Sequence, residues 1–285
     1  MLFLSKRYTF VSLTTAQEIL DGTISPIKNA MAVTIDDGYQ NSFEVAWPVL
    51  NKFGITPTVF IVTDNVTKPS AFWFDRLDRA LQMAAEHNCD FEFRGVSFSP
   101  NANQSAAELR DLCNAVIDLS HELDDDHRRS SLEALITNLE SETGWVASQE
   151  ADLCSDVMNA KQLRLAHQAG VDLGSHTASH RRLSRLSEDE RIQELRGSKA
   201  IMDGITNKSC HHIAYPEGFF DNKVCKATRY EGYKMGLTTQ EGLNEIGCNL
   251  FTLKRIHLGD FGSDTLLWTN TSGLNARWAE LSGGK

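Results

Sequence analysis

Long apolar runs are missing from this sequence. No stretch approaches the about eighteen uninterrupted apolar residues that a membrane-spanning helix needs. Met1 to Phe10 is partly apolar but carries Lys6 and Arg7, without the basic, apolar and small-residue regions of a signal peptide in series. No signal peptide is therefore expected, and a cytoplasmic location follows, with the inner membrane surface left as a place to meet a lipid-linked substrate. A basic stripe is also missing. The formal net charge is -10, and the local basic clusters are only His127-Arg128-Arg129 and His180-Arg181-Arg182, which argues against a nucleic-acid partner. No two of the cysteines at 89, 113, 154, 210, 225 and 248 have C-x-x-C spacing. That excludes a zinc ribbon or a thioredoxin-type site and leaves Cys154 and the rest as reduced, partly buried thiols.

What is present suits a globular enzyme. A chain of 285 residues can build one large α/β domain or two small ones. Met31 to Asp37 reads as a short buried strand that ends in two carboxylates, and Gly38 then turns the chain. Residues 41–53 have helical spacing, with Pro48 straining the middle, and Thr58 to Val62 is a second strand. Strand, helix, strand within about thirty residues is a βαβ unit and implies parallel strands. The rhythm returns later. Lys161 to Ala169 is helical, Val171 to Ser175 a strand, and Ser187 to Met202 a helix opened by a Ser187/Glu190 capping box. His212 to Tyr215, Met235 to Thr238 and Leu253 to Leu258 are strands, with Val224 to Tyr230 helical. Between these halves, about 66–160 reads as a mostly helical insertion, with helices over 74–85, 106–123 and 131–142 and a polar stretch from Ser97 to Ser105. The spacing predicts an α/β fold, either a parallel barrel or a doubly wound sheet.

Two places carry chemistry. Asp36 and Asp37 are adjacent carboxylates at a strand end, and both stay ionised in a low-dielectric site only with a cation or strong hydrogen bonds. A plain Asp-Asp-Gly turn is the other reading. His176-Thr177-Ala178-Ser179-His180 places two imidazoles at i and i+4, on one face if the segment is a helical turn. It follows another strand end, so both pairs fall on the same face of a parallel sheet. One carboxylate and two imidazoles suit Zn²⁺, Fe²⁺, Co²⁺ or Ni²⁺ and leave the other carboxylate to act as a base. Trp73 and Trp268 can stack on sugar rings or fill a core.

Thr34-Ile35-Asp36-Asp37-Gly38-Tyr39, His176-Thr177-Ala178-Ser179-His180-x-x-Leu183 and Tyr215-Pro216-Glu217-Gly218, in this order, resemble the motifs of the polysaccharide deacetylase family with the NodB homology domain. Gly54 to Phe60, Gly236 to Thr239 and Leu253 to Ile256 are similar to its flanking segments. Phe72 to Leu77 resembles the start of a helical insertion in members tied to surface polysaccharides. The resemblance implies one catalytic domain over 1–285, a distorted (β/α) barrel with its insertion at about 66–160. It implies Asp36 as catalytic base and Asp37, His176 and His180 as ligands of a divalent metal, Zn²⁺ first and Co²⁺, Ni²⁺ or Fe²⁺ otherwise. Tyr39, Tyr215, Pro216, Glu217 and Gly218 would face substrate or oxyanion. Two departures stand out. Ala214 occupies a position where some branches carry an Arg that positions the base. The late leucine-rich motif with the family's acid histidine has no clear match, and His257 is the nearest candidate. The expected function is removal of an N-acetyl or other N-acyl group from an amino sugar of a bacterial polysaccharide or lipid-linked glycan precursor. Deformylation or small-amide hydrolysis on the same fold is the alternative, as is an inactive glycan-binding domain.

Overall fold

The element order begins with α1 (Leu2–Ser5), β1 (Thr9–Phe10), α2 (Leu13–Leu20), β2 (Ala30–Met31), β3 (Thr34–Ile35), α3 (Trp47–Asn51), β4 (Thr58–Ile61) and α4 (Thr63–Thr67). It continues with α5 (Trp73–His87), β5 (Phe91–Phe93), β6 (Val96–Phe98), α6 (Ala106–Leu119) and α7 (Asp125–Thr143). It closes with α8 (Ala160–Gln168), β7 (Asp172–Ser175), α9 (Glu188–Thr206), β8 (His212–Ala214), α10 (Asn222–Tyr230), β9 (Met235–Glu241) and β10 (Leu253–Arg255). This computed structural model describes residues 1–68, 70–145 and 156–258 with Leu267, Thr271 and Ser272. Cys154 and Trp268 lie outside the described residues. The chain divides into two compact units, one of Met1–Pro69 with Val157–Lys285 and one of Ser70–Asp156.

In the first unit six parallel strands form one sheet in the order β10-β9-β8-β7-β4-β3. β1 and β2 form a separate parallel pair. All four residues of β4 are buried, as expected of a strand covered on both faces. Alternation along the strands sorts the core into two layers. Val59, Ile61, Leu173 and Ile213 join Leu163, Ala166, Leu195, Met202 and Val224 from the helices. Phe60, Ala214, Met235, Leu237 and Leu253 point to the other side and form an inner cluster with Leu13 of α2. A sheet with an apolar inside and helices outside is a distorted (β/α) barrel. The two edge strands come together, because Arg255 at the end of β10 donates to Thr34 Oγ1 of β3 at 3.3 Å and to Asp36 just beyond it. A side chain closes a seam that backbone hydrogen bonds leave open.

The helix predicted over 41–53 is broken. Ser42–Ala46 is a π-helical turn, and α3 starts at Trp47 with Pro48 in its first turn, where no N–H is needed. The ring's clash with the preceding turn is thus met by widening that turn. β10 ends at Arg255, so the predicted strand to Leu258 is shorter, and the helix predicted to 123 ends at Leu119.

The second unit packs α5 on α7 through Leu77, Ala80, Leu81, Leu132, Ile136 and Leu139. Arg76 bridges Glu133 at 2.7 Å and Glu140 at 3.0 Å. Trp73 packs against this core beneath the Arg128 guanidinium at 4.6 Å, so its large ring serves packing here. Just before the stretch read as polar, and overlapping it only at Ser97 and Phe98, lies the hairpin β5–β6, turning at Arg94 and Gly95 with φ of 52° and 79°. No helix of the described residues is long and apolar enough to cross a membrane. The five described cysteines are free thiols, and burial pushes Cys113 up to about 11 and Cys210 up to about 12, which keeps both protonated and unreactive.

At the N-terminal ends of the strands, His212 of β8 is buried and contacts Gln17 of α2 through Nε2 at 3.4 Å. Burial lowers its pKa to about 4, against the opposing charge of Asp172 and with help from His211 and Lys234. A base depressed in the folded state stabilises the fold above its unfolded pKa of 6.5, and that stabilisation disappears as pH falls toward 4. Chemical unfolding at pH 7.5, 6 and 5 is expected to reveal a loss that reaches about 2 kcal/mol at pH 5. His212→Asn should flatten that slope, and an unchanged slope would refute the assignment.

Candidate metal centre

Both chemical motifs leave the sheet at the C-terminal ends of strands. Asp36 and Asp37 follow β3, and His176 follows β7 two strands away. The chain turns sharply at each. Asp37 and Gly38 are consecutive left-handed residues at φ 73° and 79°, and a Cβ on Gly38 would stand 2.8 Å from the Ile61 side chain. Among eight described non-glycine residues with positive φ, Asp37, Thr177, His180 and Glu217 all belong to this site. Such conformations cost about 1–3 kcal/mol each and persist only where surrounding bonds impose them.

The structure brings Asp37, His176 and His180 together. One candidate ligand atom from each lies within 4.8 Å of the others. Asp37 Oδ1 is 3.4 Å from His176 Nε2 and 3.6 Å from His180 Nε2. Ligand bonds of about 2.0–2.1 Å at tetrahedral angles would set neighbouring donors roughly 3.4 Å apart, so the first two edges fit a small divalent cation. Hydrogen bonding points the same way. His176 Nδ1 lies 2.8 Å from the Ala214 carbonyl, which can only accept, so Nδ1 donates there and Nε2 is the ring nitrogen that faces Asp37. Asp37 Oδ1 is buried and accepts no hydrogen bond from the described residues. A buried carboxylate oxygen without a donor, faced by two imidazole nitrogens, is an arrangement a cation satisfies. Burial foremost, joined by the Asp36 charge, pushes the Asp37 carboxyl above its usual range against the pull of His176 and Arg255. A cation would reverse that balance.

Asp36 has a different environment. Its two oxygens accept from Arg255 Nη1 and Nη2, each at 2.7 Å, and Arg255 Nε donates to the Thr238 carbonyl at 2.8 Å. Burial alone would raise the Asp36 carboxyl, but the Arg255 fork and the nearby imidazoles outweigh it and hold the group below the ordinary carboxylate range. The partner that Ala214 cannot supply thus comes from the last strand. In the sequence Arg255 stands out only within the Leu253 to Ile256 resemblance, and nothing local pairs it to a residue so far along the chain.

The histidine segment is not a helical turn. Residues 176–180 form an extended loop with Thr177 at φ 68° and His180 at φ 57°. The two rings meet edge-to-face at 4.9 Å because the backbone folds back, and helical periodicity plays no part.

The third motif departs from expectation in its side chains. The Tyr215 ring is wholly buried and its hydroxyl donates to the Phe251 carbonyl at 3.1 Å, so the phenol is not presented to a substrate. Pro216 is buried. The Glu217 carboxylate, expected to face substrate or oxyanion, accepts from buried Arg182 at 2.6 and 3.0 Å, with the guanidinium also over Phe219 at 4.3 Å. The cause is electrostatic: an arginine with 1% of its side chain exposed requires a carboxylate. Glu217 and Gly218 turn at φ 53° and 72°, and a Cβ on Gly218 would strike Thr239. Tyr39 is half-buried and pairs with Val157 in an isolated antiparallel bridge. His257 is exposed, two residues beyond Arg255.

Comparison with known proteins identifies the family. A family model described as "Polysaccharide deacetylase" matches residues 24–120 and 133–236. "Putative polysaccharide deacetylase YxkH" of Bacillus subtilis (strain 168) is 28% identical over 101 residues, a stretch covering 35% of this chain and 36% of that relative. The fold is similar to that of Streptococcus pyogenes deacetylase PplD in complex with acetate, with a TM-score of 0.61, 18% identity, and 94% and 82% of the two chains covered. It is also similar to IcaB from Ammonifex degensii, with a TM-score of 0.57, 14% identity, and 94% and 84% covered. With ordered motifs, a barrel fold and a matching family model over most of its length, this chain belongs to the polysaccharide deacetylase family.

Proposed function

We propose that the protein is a metal-dependent hydrolase that removes the N-acetyl group from an amino sugar of a bacterial polysaccharide or a lipid-linked glycan precursor. One observation carries the reading: a carboxylate and two imidazoles converge while the adjacent carboxylate is held ionised outside that set. Asp37, His176 and His180 would hold the divalent ion, with Zn²⁺ the expected species. The ion would supply Lewis acidity toward the amide carbonyl and the attacking water. Asp36 takes the proton from that water as it attacks, and Arg255 keeps the carboxylate ionised and aimed until then. By the family resemblance, the Glu217 N–H is the backbone donor toward the carbonyl oxygen as charge develops. His257 is the candidate acid that protonates the leaving amine, so the C–N bond breaks to give acetate and a free amino sugar. We assign residues 1–285 to one catalytic domain whose helical insertion corresponds to the second compact unit.

The test pairs metal analysis with product analysis. Purified protein should bind one equivalent of Zn²⁺, Co²⁺, Ni²⁺ or Fe²⁺ and lose it in His180→Ala. Loaded protein should release acetate from N-acetylhexosamine oligomers. Formate from an N-formyl sugar in place of acetate would move the reading to a deformylase. Failure to bind any of these ions would leave an inactive glycan-binding domain.

A further inference from the structure

The loop that carries both histidines has little secondary structure, yet each of its backbone N–H groups is engaged. His176 N donates to the Ile61 carbonyl at 2.8 Å. Thr177 N donates to Ser175 Oγ at 3.2 Å, and His180 N to Thr177 Oγ1 at 3.2 Å. The remaining two, from Ala178 and Ser179, both end on one oxygen of Glu194, each at 2.9 Å. The other Glu194 oxygen accepts from Ser179 Oγ. Glu194 lies on α9, is 8% exposed, and sits one turn before Ser198, whose hydroxyl is 2.7 Å from Ser175 Oγ. One face of α9 therefore reaches the loop twice, directly through Glu194 and through Ser175 by way of Ser198. Two carbonyls are fixed from the start of α4, since Thr63 N and Asp64 N donate to Thr177 O and Ala178 O at 3.2 and 2.8 Å.

We infer that Glu194 is a positioning residue for the metal centre: its buried carboxylate collects three donors of the loop and holds Thr177 and His180 in the left-handed conformations that turn both imidazoles onto Asp37. The inference rests on the metal reading proposed above. The chemistry required is that of a carboxylate. An ionised Glu only accepts, so both oxygens can serve N–H and O–H donors together. Without it, two half-buried N–H groups and a hydroxyl lose this acceptor and the loop is free to leave its strained backbone. A glutamine of the same shape can still accept the two N–H bonds through its oxygen, while its amide turns to donate to Ser179 Oγ. It therefore restores part of the function, and alanine none.

The experiment compares the wild-type apoprotein with Glu194→Ala and Glu194→Gln. Competition with a chromophoric chelator gives the Zn²⁺ and Co²⁺ affinities, and amide hydrogen exchange follows Ala178 and Ser179 without metal. By analogy with supporting groups behind metal ligands, affinity is expected to fall about 10–100-fold in Glu194→Ala and less in Glu194→Gln. Exchange at Ala178 and Ser179 should quicken by at least about 10-fold in the alanine variant, while the β4 and β8 amides keep their protection. If the alanine variant does not fold, Glu194→Gln and Ser198→Ala supply the same two readings. Wild-type protein that binds no ion would refute the metal reading, and the exchange data would still decide whether Glu194 holds the loop. Wild-type-like affinity and exchange in the Glu194 variants would overturn the inference while leaving the metal reading intact.

Discussion

Asp36→Asn is expected to reduce acetate release by about 10²–10⁴-fold, the usual contribution of a positioned general base, with bound metal unchanged. Asparagine has the volume of aspartate and retains one oxygen for the Arg255 fork, so the seam between β3 and β10 should survive. It cannot take a proton from water at neutral pH. The three proposed ligands, Asp37, His176 and His180, are untouched, and metal content is therefore the internal control. The loss should fall on kcat more than on KM, because proton transfer contributes in the transition state and not to substrate affinity. Two outcomes would count against the assignment. Full activity means that another group is the base. Loss of metal along with activity means that Asp36 is itself a ligand and that its pairing with Arg255 gives way when the site is loaded.

How far this was legible in the sequence depends on the distance over which each signal acts. The strand end at Ser175 was readable because a buried apolar run and its polar stop are local facts. Helix α9 was readable for the same reason, since the Ser187/Glu190 capping box forms as the spacing predicts. The run expected as one buried strand over Met31 to Asp37, by contrast, is only partly buried and divides into β2 and β3 in different sheets. The hairpin at Arg94-Gly95 carried a signal that went unread, since Phe91-Glu92-Phe93 and Val96-Ser97-Phe98 alternate around a turn that favours glycine. The histidine pair shows a limit of another kind. A spacing of four suggests a helical turn, yet an extended loop with two left-handed residues also brings the rings together. Nothing local distinguishes the two, because the deciding bonds come from Ile61, Thr63, Asp64 and Glu194 on other elements.

The same reasoning applies to Glu217 and Arg182. Each is an unremarkable charged residue in its own segment, and only the barrel places them 2.6 Å apart in a buried setting. Both belong to loops next to the site, one following His180 and the other within the third motif. A residue that departs from the family pattern can therefore be explained by a partner in a different motif before any substrate is invoked.

Arg255 is the residue whose replacement should disturb stability and chemistry together. Its guanidinium is bound to the Thr238 carbonyl, to Thr34 Oγ1 and to both oxygens of Asp36, so it joins the first and last strands of the sheet and aims the proposed base. The side chains of Arg255 and Asp36 are 18% and 28% exposed, which places the pair between a surface contact and a fully buried one. Arg255→Met is expected to lower the unfolding free energy by about 2 kcal/mol, below the full loss for breaking a buried pair. It should also reduce acetate release by roughly 10–100-fold, because the carboxylate loses the fork that fixes its position beside the water. Arg255→Lys keeps the charge but cannot form the parallel pair of bonds, and should fall between. A double-mutant cycle separates this from a general weakening of the fold. In the Asp36→Asn background the Arg255 substitution should be less destabilising by at least about 1 kcal/mol, because its charged partner is already gone. Additive losses in urea unfolding would mean that Arg255 acts through Thr238 and Thr34 alone, and that Asp36 is aimed by something else.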